Sequence, residues 1–303
     1  MTSLWKFGQL TPLALVRLAA HKHSQDEIPT RSASLSYYFL LALFPLILFL
    51  LSLIGVIAGP HSALQSKIVE GLGQLAPGSA ADLVRNVVQQ TLRASSGLKL
   101  AAGILGALWA ASGGMSAVIV SLNKIYEINE GRPWWKQKVT ILSLTLALSA
   151  LIIFAIVLAL YGGKIGEAVF NYVGAGKAFR IVWTVLQWPL TFGAMFLAFS
   201  IVYYFGPSLK ERRWYWVTPG SAAGVILWLL ASLGFRVYLH FFNSYSATYG
   251  SVGAVVILML WLYITGFAFL IGAEVNWVIE NEDKKTAAFA ARKRALANEM
   301  KAA

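Results

Sequence analysis

Six stretches of this chain, 32–66, 100–123, 139–163, 181–209, 214–235 and 237–273, carry no acidic or basic side chain apart from His61 and His240. Each is longer than the ~20 residues an α-helix needs to cross ~30 Å of hydrocarbon. Lipid offers no partner to a peptide N–H or C=O, so an apolar run of this length must bond internally as a helix. A β-barrel would instead show short segments alternating between apolar and polar residues, and these runs do not alternate. The expected fold is therefore an all-α membrane protein, a six-helix bundle with spans near 33–58, 98–122, 140–161, 182–205, 217–241 and 251–279. A cytoplasmic segment, 1–32, precedes this 33–279 domain, and a basic tail, 280–303, follows it.

Composition agrees. Charged residues are 13% of the 303 and hydrophobic residues 58%, where a soluble domain carries roughly 25% charged residues. The net charge of +12 fits basic loops facing anionic lipid better than it fits a nucleic-acid surface. With no cysteine, disulfides and thiolate chemistry are excluded. Lys6, Arg17, Lys22, Asp26 and Glu27 interrupt the N-terminal stretch, which lacks the compact apolar run of a cleavable signal.

Lysine and arginine are distributed unevenly. The loops sharing a side with the termini hold 17, and those on the opposite side hold 6. The positive-inside rule then places both termini in the cytoplasm. Trp5, Trp134, Trp135, Trp214 and Trp216 stand at the expected span boundaries, where interfacial anchors belong. Between the first two spans, 61–96 reads as two amphipathic helices separated at Pro77-Gly78, either a packing cap or a lid or partner surface.

The two halves share a pattern. Ala101-Ala102-Gly103 with Trp109, Ser112, Gly114 and Asn123 is matched by Ala222-Ala223-Gly224 with Trp228, Ser232, Gly234 and Asn243. Phe44-Pro45-Leu46 is matched by Trp188-Pro189-Leu190. A three-span unit crosses an odd number of times, so a copy of it would be inverted, as in many secondary transporters. The competing explanation is that membrane helices draw on few residue types. Pro45, Pro189, Gly113 and Gly114 are the candidate helix breaks, because proline frees a carbonyl and paired glycines permit bending.

Few polar groups remain for chemistry. Arg236, Glu274, Arg31, Asn123 and Tyr38 form the candidate substrate or ion path. Arg236 belongs near the outer boundary, where it either lines a path or snorkels to phosphates. Glu274 belongs near the inner one, with Arg31 as its expected partner, either as a structural tie or for ion coupling. Neither a metal site nor a cofactor is expected, and no catalytic residue is assigned. His21, His23, His61 and His240 lack a carboxylate cluster, and no phosphate loop or nucleophile elbow occurs.

Three stretches resemble the virulence factor BrkB family, also called YihY-like membrane proteins. They are Arg31-Ser32-Ala33-Ser34-Leu35-Ser36-Tyr37-Tyr38 leading to Leu43-Phe44-Pro45-Leu46; Leu108-Trp109-Ala110-Ala111-Ser112 with Leu122-Asn123-Lys124-Ile125-Tyr126; and Tyr245-Ser246-Ala247-Thr248-Tyr249-Gly250-Ser251 with Leu260-Trp261-Leu262-Tyr263 and Ile271-Gly272-Ala273-Glu274. The resemblance implies a bacterial inner-membrane protein of a family often labelled ribonuclease BN. The residues themselves offer no support for a nuclease. The expected function is a transporter or flippase-like activity on an amphipathic, lipid-related or small solute; an envelope scaffold is the alternative and tRNA processing the third. Expected partners are membrane lipids and a transported substrate, without nucleic acid, and a homo-oligomer is compatible with the sequence.

Overall fold

The computed structural model describes residues 10–58, 97–173, 177–209, 216–241 and 244–302. All regular structure among these residues is helical. The helices are α1 (Pro12–Gln25), α2 (Ile28–Ala58), α3 (Gly97–Ile125), α4 (Trp134–Val173), α5 (Lys177–Phe205), α6 (Pro219–Phe241) and α7 (Ser244–Ala302). Helices α2 to α7 each contain a segment long and apolar enough to cross a membrane, six in all. The chain is thus an all-α, six-span protein, as its uncharged runs require. The 61–96 segment lies outside the described residues, as do Trp5, Trp214 and Asn243.

Element ends differ from expectation in an instructive way. Helix α2 begins at Ile28 and α4 at Trp134, both before the uncharged stretch starts. Charged residues at a helix end reach water without ending the helix, so the apolar run marks the lipid-embedded part and not the helix. For the same reason the basic tail continues α7 as one helix to Ala302. The candidate breaks do not interrupt their helices. Helix α2 runs through Pro45 and α5 through Pro189, and Gly113-Gly114 sits within continuous α3. A proline removes one N–H, but in an apolar setting the remaining turns keep their bonds because unpaired groups cost too much.

Successive spans pack in a ring that closes where α7 meets α2. The buried positions show why. On α2, Ile28, Ser32, Leu35, Ala42 and Phe49 follow a seven-residue repeat, and on α3 so do Ala111, Met115, Val118, Leu122 and Ile125. That spacing is the seam of two helices packing side by side. Gly114 fits this seam, since a Cβ there would meet the Ala42 Cβ at 3.1 Å. Tyr37, Leu41 and Phe44 of α2 face outward, as lipid-facing side chains do. Helix α2 lies along α3 for much of its length, whereas α5 meets α6 more briefly. The helices matched in sequence thus have corresponding neighbours in the ring but contact them to unlike extents.

The α6–α7 pair is closer still. A Cβ on Gly220 would collide with the Gly272 carbonyl, and one on Gly272 with the Gly220 carbonyl and the Tyr203 hydroxyl. Small residues at Gly220, Gly224, Ala268 and Gly272 let the two backbones touch, the main means of helix association where no water is displaced. Tyr203 of α5 locks onto this pair by donating to the Phe269 carbonyl at 2.6 Å.

Candidate functional site

Among the described residues, the buried charged side chains gather at one end of the bundle, here called the basal face. The α1–α2 corner, the α3–α4 loop, the α5–α6 loop and the α7 segment around Glu274 meet there. Two of these connections are built on an unusual backbone. Glu27 and Glu127 have φ of 53° and 54°, in the left-handed region that glycine normally supplies. After α3 the Ile128 N–H bonds the Asn123 carbonyl at 2.9 Å and the Glu127 N–H bonds the Lys124 carbonyl at 3.0 Å. This is the Schellman ending of a helix, with glutamate in the glycine position. It turns the Glu127 carboxylate back toward α1.

Helix α1 starts with Thr11 capping the Ala14 N–H and Pro12 in the first turn. It lies on α7 through Leu15, Val278 and Ile279. This seats Lys22, which is 5% exposed, against three groups. Its ammonium donates to Glu127 Oε1 at 2.7 Å, stands 3.1 Å from Asp26 Oδ2, and lies 3.6 Å above the centre of the Trp277 ring. Burial raises the Asp26 carboxyl above its ordinary value, and the bond from Lys22 opposes that rise. Arg31 turns away from the bundle interior. Its Nε donates to the Asp26 carbonyl at 2.9 Å, and its guanidinium stands 3.7 Å from Glu27.

Glu274 lies beneath this layer, wholly buried on α7. Neither carboxylate oxygen has a hydrogen-bond partner. Asp26 and Lys22 are the charged groups whose fields reach it. The expected Arg31–Glu274 pair does not form: the α1–α2 corner gives Arg31 nearer acceptors in Asp26 and Glu27, and Lys22 holds the interior position.

A second polar cluster joins the other loops. Arg132 grips Glu130 with Nε and Nη2 at 2.7 Å each, and also donates to the Gly206 carbonyl at 2.8 Å. Asn123 bridges the loops, donating to Glu130 at 3.0 Å and accepting from the Ser208 N–H at 2.9 Å. The Arg132 side chain holds Glu130 well below the usual carboxylate range, at about 2. Asn123 therefore belongs to the basal face, but in this cluster and not beside Glu274.

The remaining expected residues stand apart. Arg236 is exposed and sits ~25 Å along α6 from its basal end, at 1.5 Å per residue. Tyr38 is 46% exposed on the outer face of α2. Gly113 has nothing within 4 Å of where a Cβ would be. The sequence reading missed Lys22, Asp26, Glu127, Glu130 and Arg132 as members of built clusters. Lys22 four residues before Asp26 and Glu130 two residues before Arg132 are local signs, whereas the partners that complete each cluster lie far away in sequence. Among the described residues no group of three or more His, Asp or Glu side chains is placed to share a metal ion.

Fold and site together define a multi-pass α-helical membrane protein with a buried ionisable cluster at one end of its bundle. The chain belongs to the virulence factor BrkB family, whose pattern matches residues 19–297. It is similar to YfkH of Bacillus subtilis (strain 168), whose name describes it as ribonuclease-like, at 35% identity over 87% of this chain and 94% of that protein. It is also similar to UPF0761 membrane proteins. One from Paraburkholderia xenovorans (strain LB400) is 26% identical over 89% of this chain and 61% of its own length. One from Vibrio vulnificus (strain YJ016) is 28% identical over 87% of this chain and 82% of its own. The chain thus spans less than two thirds of some of these relatives. No solved structure matches it.

Proposed function

We propose that this chain is an inner-membrane transporter or flippase-like protein for an amphipathic, lipid-related or small solute, with its basal face in the cytoplasm. One observation carries the reading: Glu274 is fully buried within a span and neither of its oxygens is paired. An ionisable group in that position is costly, and a purely structural bundle gains nothing from it that leucine would not supply. Such groups mark ion and substrate pathways in membrane proteins. The excess of lysine and arginine on the basal loops and tail supports the orientation.

The test is reconstitution. Purified protein in liposomes is given an imposed pH or sodium gradient, and the movement of a fluorescent phospholipid and of small organic anions and cations is followed. Gradient-dependent flux that falls to the level of empty liposomes in Glu274→Gln is the expected result. Flux equal to that of empty liposomes for every probe overturns the reading. Protease access to the tail in right-side-out and inverted vesicles tests the orientation.

A scaffold role draws on a different feature. Helix α7 continues past the membrane segment to Ala302 and exposes Phe289. Truncation after Asp283 that removes a bound envelope partner while leaving flux intact would favour that role. The ribonuclease-like name belongs to the Bacillus relative. We transfer no nuclease chemistry, and an assay on precursor tRNA with nuclease-free protein checks that choice.

A further inference from the structure

We infer that Glu274 is a reversible proton-binding site and that Lys22 is the counter-ion waiting for its charged form. The inference deepens the transport reading by naming the coupling ion, and it rests on that reading only for the purpose of the proton.

The argument starts from the oxygens. A wholly buried carboxylate with no donor cannot stay ionised without a large desolvation penalty. It must bind a cation or hold a proton. A metal cation replaces its water shell with several oxygen ligands. Here neither Glu274 oxygen has a hydrogen-bond partner. The neighbours along α7 include Leu270, Ala273 and Val278, which supply no oxygen side chain. A proton requires only one oxygen, and the carboxyl provides it.

Reversibility comes from the surrounding elements. Helix α1 contributes Lys22 and Asp26, whose fields reach Glu274. Arg31 of α2 is turned to the Asp26 carbonyl and to Glu27. Glu127 after α3 occupies Lys22 from the side, and its own side chain is 61% exposed. Among the described residues, the start of α6 offers this region Thr218, Gly220 and Ser221, whose polar atoms are taken by one another, Asn276 and Ser200. Glu280 and Asp283 lie farther along α7, toward the charged end. One ammonium is therefore shared between Asp26 and the solvent-facing Glu127. When the Glu274 O–H bond breaks, the proton leaves to water at the basal face. The lysine side chain then has a carboxylate to turn to at the loss of one partly exposed ion pair. Rebinding a proton reverses both movements.

The experiment is infrared difference spectroscopy of the full chain in lipid nanodiscs, titrated between about pH 6.5 and 9, a range that leaves ordinary carboxylates ionised. The expected result is a protonated-carboxyl band that disappears as pH rises. It is lost in Glu274→Gln, moved in Glu274→Asp, and kept in a variant with both His21→Gln and His23→Gln. Lys22→Met should move the midpoint upward by about one unit, because a nearby cation favours the ionised form. A band that survives in Glu274→Gln, no band in this range, or a band removed by sodium at constant pH would overturn the proposal. Should Glu274→Gln fail to fold, the shift in Glu274→Asp decides, and an unmoved band overturns it. A titrating band with no flux for any probe retires the transport reading alone. Gradient-driven flux that persists in a folded Glu274→Gln retires the coupling role.

Discussion

The Lys22 ammonium lies 3.6 Å from the centre of the Trp277 ring, so the helix that precedes the first span is pinned to the last one by a cation facing an aromatic ring. The same ammonium serves Asp26, whose side chain is 7% exposed. Removing one partner of a buried ion pair leaves the other charged and unpaired. Lys22→Met should therefore cost about 3 kcal/mol of stability. Trp277→Leu keeps the ion pair and should cost roughly 1–2 kcal/mol, the size of a desolvated cation–π contact. Thermal unfolding of the detergent-solubilised protein measures both. Equal losses would mean that α1 is held by apolar packing on Val278 and Ile279 and not by its lysine.

The cluster of Glu130 and Arg132 has a definite pH signature. The Glu130 carboxyl sits at about 2, against an ordinary value of 4.5. A carboxyl lowered on folding contributes stability that is fully present above 4.5 and is lost as pH falls through about 2. Asp26 has the opposite sign: its raised carboxyl contributes stability below its ordinary value of 3.8 that is lost as pH rises through its folded value. Acid should thus loosen the joint between the α3–α4 and α5–α6 loops while the α1 corner holds. Glu130→Gln should cost about 2 kcal/mol at neutral pH and remove most of the acid loss between these limits. Hydrogen exchange at 126–133 and 206–209, followed from neutral to acid pH, checks both parts. Unchanged acid sensitivity in Glu130→Gln would place the responsible group elsewhere.

Glycines that look alike in the sequence should respond differently. Gly272→Ala drives a methyl group into the Gly220 carbonyl and the Tyr203 hydroxyl. Backbone atoms cannot swing aside, so the α6–α7 pair must part and the cost should be about 3 kcal/mol. Gly113→Ala meets nothing within 4 Å, and should raise stability by ~0.5–1 kcal/mol, the helix preference of alanine over glycine. Folded yield and melting temperature distinguish the two. A damaging Gly113→Ala would show that α3 bends there in use.

The spans were legible because lipid imposes a one-dimensional rule: no charge for a helix-crossing length. Clusters obey no such rule. Asn123 could be recognised as a polar residue at a helix end, but its partners Glu130 and Ser208 are brought together by two loops. Lys22 reads as one more charge in a mixed N-terminal segment. Its burial depends on α1 folding back on α7, and that return is made at Glu27, where no glycine announces a left-handed turn. The Arg31–Glu274 pairing fails for the same reason, since proximity to one membrane face was the whole argument for it. Only α1, seen in place, shows which cation faces inward.

The start of α6 supplies a test of capping inside a bundle. Asn276 of α7 accepts the Gly220 N–H at 2.8 Å and donates to the Thr218 hydroxyl at 3.0 Å. Thr218 also accepts from the Ser221 N–H at 2.9 Å. A side chain from one helix thus completes the N-terminus of another, and all three groups are buried. Asn276→Leu fills a similar volume but leaves the Gly220 N–H unpaired, which should cost about 2 kcal/mol. Asn276→Asp keeps an acceptor on that N–H and adds a negative charge at a helix N-terminus, where it is favoured. The Thr218 hydroxyl can rotate to donate to it. The aspartate should therefore lose less than half as much as the leucine. Melting temperatures of the two variants against the parent, in one detergent, decide the matter. If leucine matches or exceeds aspartate, apolar packing between α6 and α7 outweighs the cap, and Gly220, Gly224 and Gly272 carry that contact by shape alone.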